Sequence, residues 1–508
     1  MRAGVIDIGS NSIKLLIGEK SDKGITVLES LKNIVPIGKS TFFDGYIAQE
    51  DINQIIGILE KYKKVLKEYD VANVKVIATT AVREAGNRDI FVDTLRRKTE
   101  LNIEVLSVGD VIYYIDAYIS HKLKDSYPIH TKNLIIAEIG AGSLDISVMR
   151  KGFTVMNLGL PLGTLRLKQL MAKLDGSREE TVDALKEHIQ TEILYFKNML
   201  PKIQIDDIIL IDENYTYLQS ILPNKKKESD FFQFSGDDSK NVLAEVSDKS
   251  VEEIVRTYKV PREVAETLGS YTIMLNMFFT LTENKYIYIL EASLSGAILT
   301  NILFDLELSE KYNKQNQLIS VAKFFCQKFD ADMVHVQHVA QLSGILFNHF
   351  KDLLGLKDNE QLYLVLAAYL HDIGIFINNR AHHKHSEYII SALNLFQLTD
   401  DEIKIIACVA RYHRRAGPQK SHLLYYSLAS GDKILVQKLS ALLRIANALD
   451  RSHKQKIKGI EVRFNKALDI TLILESQDSC LLEKVDFAEK KQLFEEVTGS
   501  KISLAFKN

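Results

Sequence analysis

One pattern occurs twice in the first half of the chain and limits the folds open to it. Residues 3–18 read AGVIDIGSNSIKLLIG, and residues 134–149 read LIIAEIGAGSLDISVM. Each is an apolar strand that carries an acidic residue near its end, followed by a glycine turn with a hydroxyl group and a returning apolar strand. Because helical stretches follow both copies, the sequence predicts a duplicated α/β fold.

Changes of periodicity supply the domain boundaries, since 508 residues are too many for one hydrophobic core. Strands and helices alternate to about residue 304, helical periodicity then dominates, and the alternation typical of strands returns after residue 456. We therefore predict an α/β plus all-α chain of four domains that ends in a small α/β tail. Their ranges are 1–120, 121–304, 305–455 and 456–508.

Charge and cysteine content restrict the partners and the compartment. Lys and Arg number 64 and Asp and Glu 66, for a formal net charge of -2, so an anionic partner needs a local basic patch. This balance argues against a nucleic-acid duplex or a membrane as partner. Cys326, Cys408 and Cys480 show no C-x-x-C spacing, and the N-terminus lacks a signal peptide pattern, so we expect a cytoplasmic protein.

The two glycine turns are candidate phosphate sites. Successive backbone N–H groups in such a turn bind anions, and a neighbouring acid can hold a metal at the edge of the phosphate. A β-hairpin uses the same residue types, so one turn alone indicates little, whereas two from duplicated halves indicate more. The predicted residues are Asp7, Gly9, Ser10, Asn11, Ser12, Glu138, Gly140, Gly142 and Ser143.

Four segments, VIDIGSNSIKLLI, ATTAVREAGN, AEIGAGSLDISVM and LPLGTLRL, occur in this order. Together they resemble the exopolyphosphatase/guanosine pentaphosphate phosphohydrolase (Ppx/GppA) family, and the helical half is similar to its longer members through LHDIGIFINNRAHHKHSEYII, RYHRR and LLRIANALDRSH. The resemblance implies two actin-like (ribonuclease H-like, ASKHA) lobes with polyphosphate or a nucleotide phosphate tail between them. It also implies that Arg83 of TTAVRE contacts phosphate.

The catalytic glutamate of the family is missing from its usual place. It is the second Glu of S-G-x-E-E-A-R, where LSVGDVIYYI has Asp110 at the first Glu and Val111 at the second. Valine cannot accept a proton, so Asp110 or Asp116 would have to act from a different position. The segments LIDENYTYL and EASLSGA also replace family segments. We therefore predict an impaired cleft that binds Mg, with Asp110 and Glu138 as its catalytic candidates.

The helical half carries a second candidate site. The segment LVLAAYLHDIGIF, residues 364–376, reads as a buried helix, so the carboxylate of Asp372 must be compensated. His335 lies four residues before Val339, on the face that packs inward, and Asp450 ends another apolar helix. With His371 they resemble the H…HD…D signature of the HD phosphohydrolase superfamily. That resemblance implies a divalent metal (Mn, Fe, Mg or Zn) and a catalytic Asp372.

Further histidines and cations lie between the HD pair and Asp450. In the superfamily such histidines can hold a second metal, which here favours His383 and His413, with His385 as the alternate for His383. His382, His385 and His338 are, taken singly, more typical of surface or supporting residues. Lys384, Arg411 and Arg414 form the local basic patch, with Arg415 either part of it or a solvated helix end.

The sequence thus predicts a metal-dependent phosphohydrolase that acts at the HD site, while the first half binds a phosphate-rich ligand. Its expected partners are polyphosphate, nucleotide or alarmone phosphates and a second copy of the chain, since two-fold dimers are common at this size. One alternative is an exopolyphosphatase with a displaced base in the first half. The other is a non-catalytic polyphosphate or alarmone sensor.

Overall fold

The computed structural model divides the chain into two compact units, Met1–Lys314 and Gln315–Asn508. The residues that it describes are 1–22, 24–212, 217, 221, 231–247, 249–281, 286–306, 313–393, 395–396, 398–414, 417–419, 421–464 and 469–507.

The first sheet of unit one has the strand order β3-β2-β1-β4-β5. Strands β1, β2 and β3 are antiparallel neighbours, whereas β4 and β5 run parallel to β1. The strands are β1 Arg2–Ile8, β2 Ser12–Ser21, β3 Gly24–Ile34, β4 Asn73–Ala78 and β5 Ile103–Val105. The helices are α1 Ile37–Asp44, α2 Gln49–Glu68, α3 Thr80–Glu84, α4 Arg88–Thr99 and α5 Val108–Lys122.

The second sheet repeats this arrangement, in the order β8-β7-β6-β9-β11-β10 among the described strands. Again three antiparallel strands are followed by parallel ones, β9 and β11, and β10 pairs antiparallel with β11. The strands are β6 Asn133–Ile139, β7 Leu144–Arg150, β8 Phe153–Leu160, β9 Asp207–Asp212, β10 Phe231–Ser235 and β11 Tyr286–Glu291. The helices are α6 Thr164–Lys173, α7 Arg178–Met199, α8 Gly236–Ser247, α9 Val251–Tyr258, α10 Arg262–Phe278 and α11 Leu294–Phe304.

Unit two is helical and ends in a small sheet. Its sheet has the order β12-β13-β14, with β13 and β14 parallel. The helices before it are α12 Lys314–Lys328, α13 Met333–Leu354, α14 Glu360–Leu370, α15 His382–Ser391, α16 Asp400–Arg411, α17 Leu423–Ser427 and α18 Ser430–Ala448. The last elements are β12 Gly459–Phe464, β13 Ile470–Glu475, α19 Leu481–Lys490, α20 Gln492–Thr498 and β14 Ile502–Lys507.

The predicted fold class is confirmed at the level of two mixed α/β sheets followed by helices. One predicted boundary, residue 120, falls inside α5, because the apolar helix runs on to Lys122 before a loop leads to β6. The predicted small α/β tail contains the helices α19 and α20 and the three-stranded sheet. Among the described residues, none of the helices combines the length and the apolar character that a membrane span requires.

Candidate metal centre and phosphate-turn cleft

The two glycine turns have the same backbone closure. Gly9 donates its N–H to the carbonyl of Ser12 at 3.0 Å, and Gly140 does the same to Ser143 at 2.9 Å. A cavity of about 110 Å³ lies between the turns, and its lining includes every predicted residue of both. These are Asp7, Gly9, Ser10, Asn11, Ser12, Glu138, Gly140, Gly142 and Ser143.

The second turn packs closely against the first turn and against the start of α3. The hydroxyl groups of Thr80 and Ser143 are 2.9 Å apart. A Cβ on Gly142 would lie 2.6 Å from the Oγ of Ser10, so only glycine fits there. Arg83 donates to the carbonyl of Leu106 and to the Oγ1 of Thr80, and it is not among the cavity's described lining residues. In the structure Arg83 therefore links the start of α3 to Leu106, which differs from the predicted phosphate contact.

Asp110 is a helix cap in the structure, which corrects its predicted catalytic role. Its carboxylate accepts the backbone N–H of Ser107 at 2.9 Å and the hydroxyl at 2.8 Å, a capping box that starts α5. Asp116, the other candidate, is buried and accepts hydrogen bonds from Ser147 and Thr154. Val111 does line the cavity. Neither predicted substitute for the missing glutamate takes its place.

Asp145 is a cleft residue that the sequence prediction missed. In the β6–β7 pairing it lies directly opposite Glu138, so the two side chains share one face of the sheet. Both line the cavity between the turns and a smaller one of about 10 Å³ that also touches Asp116. Burial raises the pKa of Asp145 to about 6, opposed by the charge of Arg83. The sequence signal that could have identified Asp145 is its position as the one acid in the mainly apolar segment LDISVM.

Two segments that depart from the family carry polar contacts at the cleft. Asp212 ends β9 and accepts a hydrogen bond from Tyr271 at 2.5 Å, whereas residues 213–216 and 218 of LIDENYTYL lie outside the described residues. In EASLSGA, Ser293 caps α11, and Ser295 donates to the Oδ2 of Asp7 at 3.2 Å. EASLSGA therefore places a hydroxyl on the acid of the first turn.

A larger cavity of about 190 Å³ shares Asn11, Ser12 and Glu138 with the turns. Its other walls combine apolar side chains such as Leu165 with the carboxylates of α10. One of them, Glu266, pairs with Lys168 at 2.6 Å. Beyond the phosphate turns, this space is therefore lined by groups of both charges and by apolar surface.

In unit two, Asp372 is the centre of a buried histidine cluster. It follows α14, whose apolar face buries Leu364, Leu366 and Ala367 and carries His371 into the core. Two groups of possible metal ligands share Asp372, and in each group the ligand atoms lie within 4.8 Å of one another. The first group is His335, His371 and Asp372, and the second is Asp372, His382 and His413.

The distances show how Asp372 serves both groups. Its Oδ2 is 3.4 Å from the Nε2 of His371 and 3.9 Å from that of His335. Its Oδ1 is 3.2 Å from the Nε2 of His382 and 3.7 Å from that of His413. Each carboxylate oxygen thus faces one pair of histidines, as a bridging ligand would.

Three of the histidines are oriented in the same way. In each, Nδ1 lies near the carbonyl oxygen of the residue three positions earlier. The distances are 2.7 Å for His371 to Ala368, 2.9 Å for His382 to Asn379 and 2.6 Å for His413 to Ala410. Since a carbonyl only accepts, Nδ1 carries the proton, and the Nε2 of a neutral ring presents a lone pair to Asp372.

This donor set fits a divalent cation. The Nε2 atoms of His382 and His413 face each other at 3.2 Å, and the buried Nε2 of His371 has no hydrogen-bond partner among the described residues. Burial lowers the pKa of His371 to about 4 and that of His413 well below its usual value. Burial opposes the charge of Asp372, but the histidines, His371 first, hold its pKa well below the usual range.

His382, rather than the predicted His383, completes the second group. His382 is the first residue of α15, where the carbonyl of Asn379 fixes its ring. His383 is turned about 100° further round the helix. Its ring stands at 84° to those of His382 and His413, with centroids 6.1 Å and 6.5 Å away. The alternate, His385, is not in either group.

Asp450 supports the cluster through His335 and belongs to neither group of described residues. Its Oδ2 lies 2.8 Å from the Nδ1 of His335, and its Oδ1 accepts the backbone N–H of Gln455 at 2.7 Å. The sequence predicted a direct ligand. A carboxylate behind a metal-ligating histidine is a common arrangement, because it fixes the ring and raises its basicity.

The predicted basic patch is only partly available. Arg411 pairs with Glu387. Burial raises the pKa of Glu387, and the charge of Arg411 offsets only part of this rise. Lys384 and Arg414 are exposed. Burial and then the charge of Arg414 lower the pKa of His383 to about 4, so this ring is neutral beside the cations. Arg415 lies outside the described residues.

Comparison with protein families gives two matches. Residues 16–303 match the model of the Ppx/GppA phosphatase family, and residues 318–495 match the model of Ppx/GppA phosphatase, domain III.

Curated relatives are distant. The guanosine-5'-triphosphate,3'-diphosphate pyrophosphatase of Pseudoalteromonas translucida is 22% identical, over 87% of this chain and 86% of that protein. Exopolyphosphatase 1 of Mycobacterium leprae is 27% identical, over 38% of this chain and 56% of that protein. The chain therefore spans most of the first relative and about half of the second.

Solved structures resemble the first part of the chain. A Ppx/GppA family member from Aquifex aeolicus has a TM-score of 0.52 at 22% identity, over 61% of this chain and 99% of that one. An exopolyphosphatase from Cytophaga hutchinsonii has a TM-score of 0.53 at 18% identity, over 60% of this chain and 98% of that one. At these identities the likeness establishes the fold.

Proposed function

Because the chain belongs to the Ppx/GppA phosphatase family, we propose that it is a phosphohydrolase whose main active centre is the histidine cluster around Asp372. The observation that carries this proposal is the convergence of Nε2 atoms from His371, His382 and His413 on the two oxygens of one buried carboxylate. Such a set is expensive to bury without a cation. We therefore regard unit two as an HD-type metallohydrolase domain.

The residues divide into two ligand sets joined by Asp372. His335 and His371 would hold one metal, and His382 and His413 a second. Four imidazoles favour Mn, Fe or Zn over Mg, which prefers oxygen ligands. When bound, such ions neutralise phosphate charge and make a coordinated water more acidic. The protein's own contribution is orientation, since backbone carbonyls fix three of the rings and Asp450 fixes the ring of His335.

Exposed cations beside the cluster supply the contacts that a phosphate substrate needs. Lys384 and Arg414 are exposed and lie within two residues of His382 and His413 in the sequence. Arg411 is held by Glu387, so we assign it to orienting α15 against α16. The substrate class is a phosphate ester or anhydride.

We further propose that the cleft of unit one binds a phosphorylated ligand. The backbone N–H groups of its two glycine turns would cradle phosphates, with Glu138 and Asp145 sharing an Mg ion. The 190 Å³ cavity next to them is lined in part by Glu263 and Glu266. Lys14, Lys32 and Lys168 line the same cavity, which therefore offers both signs of charge as well as apolar surface. A nucleotide or an alarmone, which carries a base and hydroxyl groups besides its phosphates, suits such a mixed lining better than a long polyphosphate chain.

A second candidate function is exopolyphosphatase activity in that cleft, with Asp145 as the displaced base. The observation in its favour is that Asp145 lies opposite Glu138 and lines the cavity beside Val111, where the family has its glutamate. The third candidate is a sensor that binds phosphates without hydrolysis.

Phosphate release separates the three candidates. Wild type, Asp372→Ala and Asp145→Asn are assayed on polyphosphate, nucleoside polyphosphates and phosphate monoesters, with and without added Mn²⁺. We expect Asp372→Ala to abolish Mn²⁺-dependent release and Asp145→Asn to leave it intact. The reverse pattern would establish the cleft as the active site, and no turnover by wild type would leave the sensor. Asp401→Ala, which removes an exposed ion pair with Lys404 in the same unit, is the matched control.

A further inference from the structure

Glu483 is a fully buried acid that belongs to neither group of possible metal ligands. It lies on α19, and its exposed fraction is 0%. Its Oε1 accepts the backbone N–H of Ser452 at 3.0 Å, and its Oε2 lies 3.7 Å from the Nζ of Lys456. Lys456 also donates to the carbonyl of Ser479, 2.8 Å away. Both contacts of Glu483 therefore fall on residues 450–456, which we call the 450–456 loop.

The same loop holds one side of the metal centre. It begins with Asp450, whose carboxylate lies 2.8 Å from the Nδ1 of His335. The ring of His453 stacks on that of His335, with centroids 3.7 Å apart and planes 3° from parallel. The Nδ1 of His453 lies 3.0 Å from Asp332, which also caps the helix of His335. His335 is thus fixed on two sides by the 450–456 loop.

The loop needs an anchor to keep this conformation. Two of its residues have left-handed backbones, His453 with φ 54° and Gln455 with φ 48°, although neither is glycine. Side chains other than glycine rarely adopt such angles unless the surrounding structure holds them. The hydrogen bond from Ser452 lies next to His453, and Lys456 lies next to Gln455. Glu483 therefore contacts the loop immediately before and immediately after the segment that contains the two left-handed residues.

Stability alone gives a weak reason for this acid. A buried ion pair is often no more stabilising than an apolar side chain of similar volume, because two charges must be desolvated. On the buried face of α19 the residue one turn after Glu483 is the apolar Phe487, and the helix packs on α18, the helix that leads to Asp450. A buried glutamate at this point is better explained by the groups that it holds.

We propose that Glu483 is a positioning residue for the metal centre, which it serves by fixing the 450–456 loop against His335. The inference rests on the proposed metal centre in unit two. It gives the small sheet and helices at the end of the chain a part in metal binding. They supply the buried carboxylate that holds the loop, while all the metal ligands come from the helical part.

The test is Mn²⁺ affinity, measured by calorimetry on the full-length protein after metal removal, so that no turnover is needed. Glu483→Ala removes both contacts with the loop, and we expect the dissociation constant for Mn²⁺ to rise about 10–100-fold. Glu461→Gln, which breaks an exposed pair with Lys507 in the same part of the chain, should leave it unchanged. Saturating Mn²⁺ should bring the phosphate release rate of Glu483→Ala back near that of wild type.

A milder variant covers the case in which Glu483→Ala does not fold. Lys456→Met removes the cation but keeps the hydrogen bond to Ser452, and we expect a rise of the dissociation constant of several-fold. Folded variants that bind Mn²⁺ as tightly as wild type, even with lowered thermal stability, would overturn the positioning role alone. If wild type itself binds no Mn²⁺ or Zn²⁺, the metal centre and this inference fall together.

Discussion

Asp116 should make the stability of unit one depend on pH in a way that one substitution removes. Its exposed fraction is 4%, and the hydroxyl groups of Ser147 and Thr154 donate hydrogen bonds to its carboxylate at 2.8 Å and 2.6 Å. Burial raises its pKa from 3.8 to about 7, against the effect of those two hydrogen bonds. Between pH 3.8 and about 7 the side chain of Asp116 is therefore protonated in the folded state and ionised in the unfolded state.

The sign and size follow from linkage. Because the folded pKa is the higher, the contribution to stability is complete below pH 3.8 and is lost as the pH rises to about 7. Between pH 5 and pH 8 the expected loss is about 2–3 kcal/mol, taking about 1.4 kcal/mol for each pH unit over which the two states differ in protonation. Asp116→Asn cannot ionise and should not show this loss.

Hydrogen exchange of the amides in residues 144–160 is a suitable assay, because it reports local opening in a chain of two units. We expect the ratio of exchange rates, wild type over Asp116→Asn, to rise about 100-fold from pH 5 to pH 8. Comparison at equal pH cancels the intrinsic pH dependence of exchange. Asp89→Asn, at a side chain 89% exposed, is the control. A ratio that stays constant with pH would refute a raised pKa at Asp116.

Three further changes test the two sites. Asp450→Asn keeps an acceptor for His335 but removes the charge, so Mn²⁺ affinity measured by calorimetry should fall about 10–100-fold, and an unchanged affinity would contradict its supporting role. His382→Ala should lower the Mn²⁺ bound per chain, measured by elemental analysis, from two ions to one, whereas the neighbouring His383→Ala should retain two; the opposite result would restore the ligand set predicted from the sequence. Val111→Glu places a carboxylate where the family has its base, and phosphate release from polyphosphate should rise by at least about 10²-fold, whereas no gain would show that the cleft lacks more than a base.

The fold could be predicted from the sequence wherever local patterns determine it. The hairpins around Gly9 and Gly140 follow from two apolar strands joined by a glycine turn, and both turns close as expected. The change to helical periodicity after residue 304 likewise predicts the helices of unit two. The predicted boundary near 120 lies in the last turn of α5, which ends at Lys122.

The sites depend on contacts that sequence spacing does not determine. The adjacent histidines 382 and 383 point in different directions from α15. The hydrogen bond to the carbonyl of Asn379 fixes the ring of His382, and the sequence does not show this contact. The sequence predicts Arg411 as a phosphate ligand, but in the structure it forms an ion pair with Glu387, 24 residues earlier. Asp145 becomes visible as a cleft residue only through its pairing with Glu138. The metal identity, the dimer and the cytoplasmic location remain predictions.

The two hairpins carry different charges at one pair of facing residues, and this makes the cleft electrostatically asymmetric. In the first hairpin Asp7 lies opposite Lys14, whereas in the second Glu138 lies opposite Asp145, and all four line the same cavity. The wall formed by the first hairpin carries one acid and one base, whereas the wall formed by the second hairpin carries two acids. An anionic ligand would bind in this asymmetric field with its counter-ion on the acidic side, so the charges of the two hairpins set the orientation of the ligand before any chemistry begins.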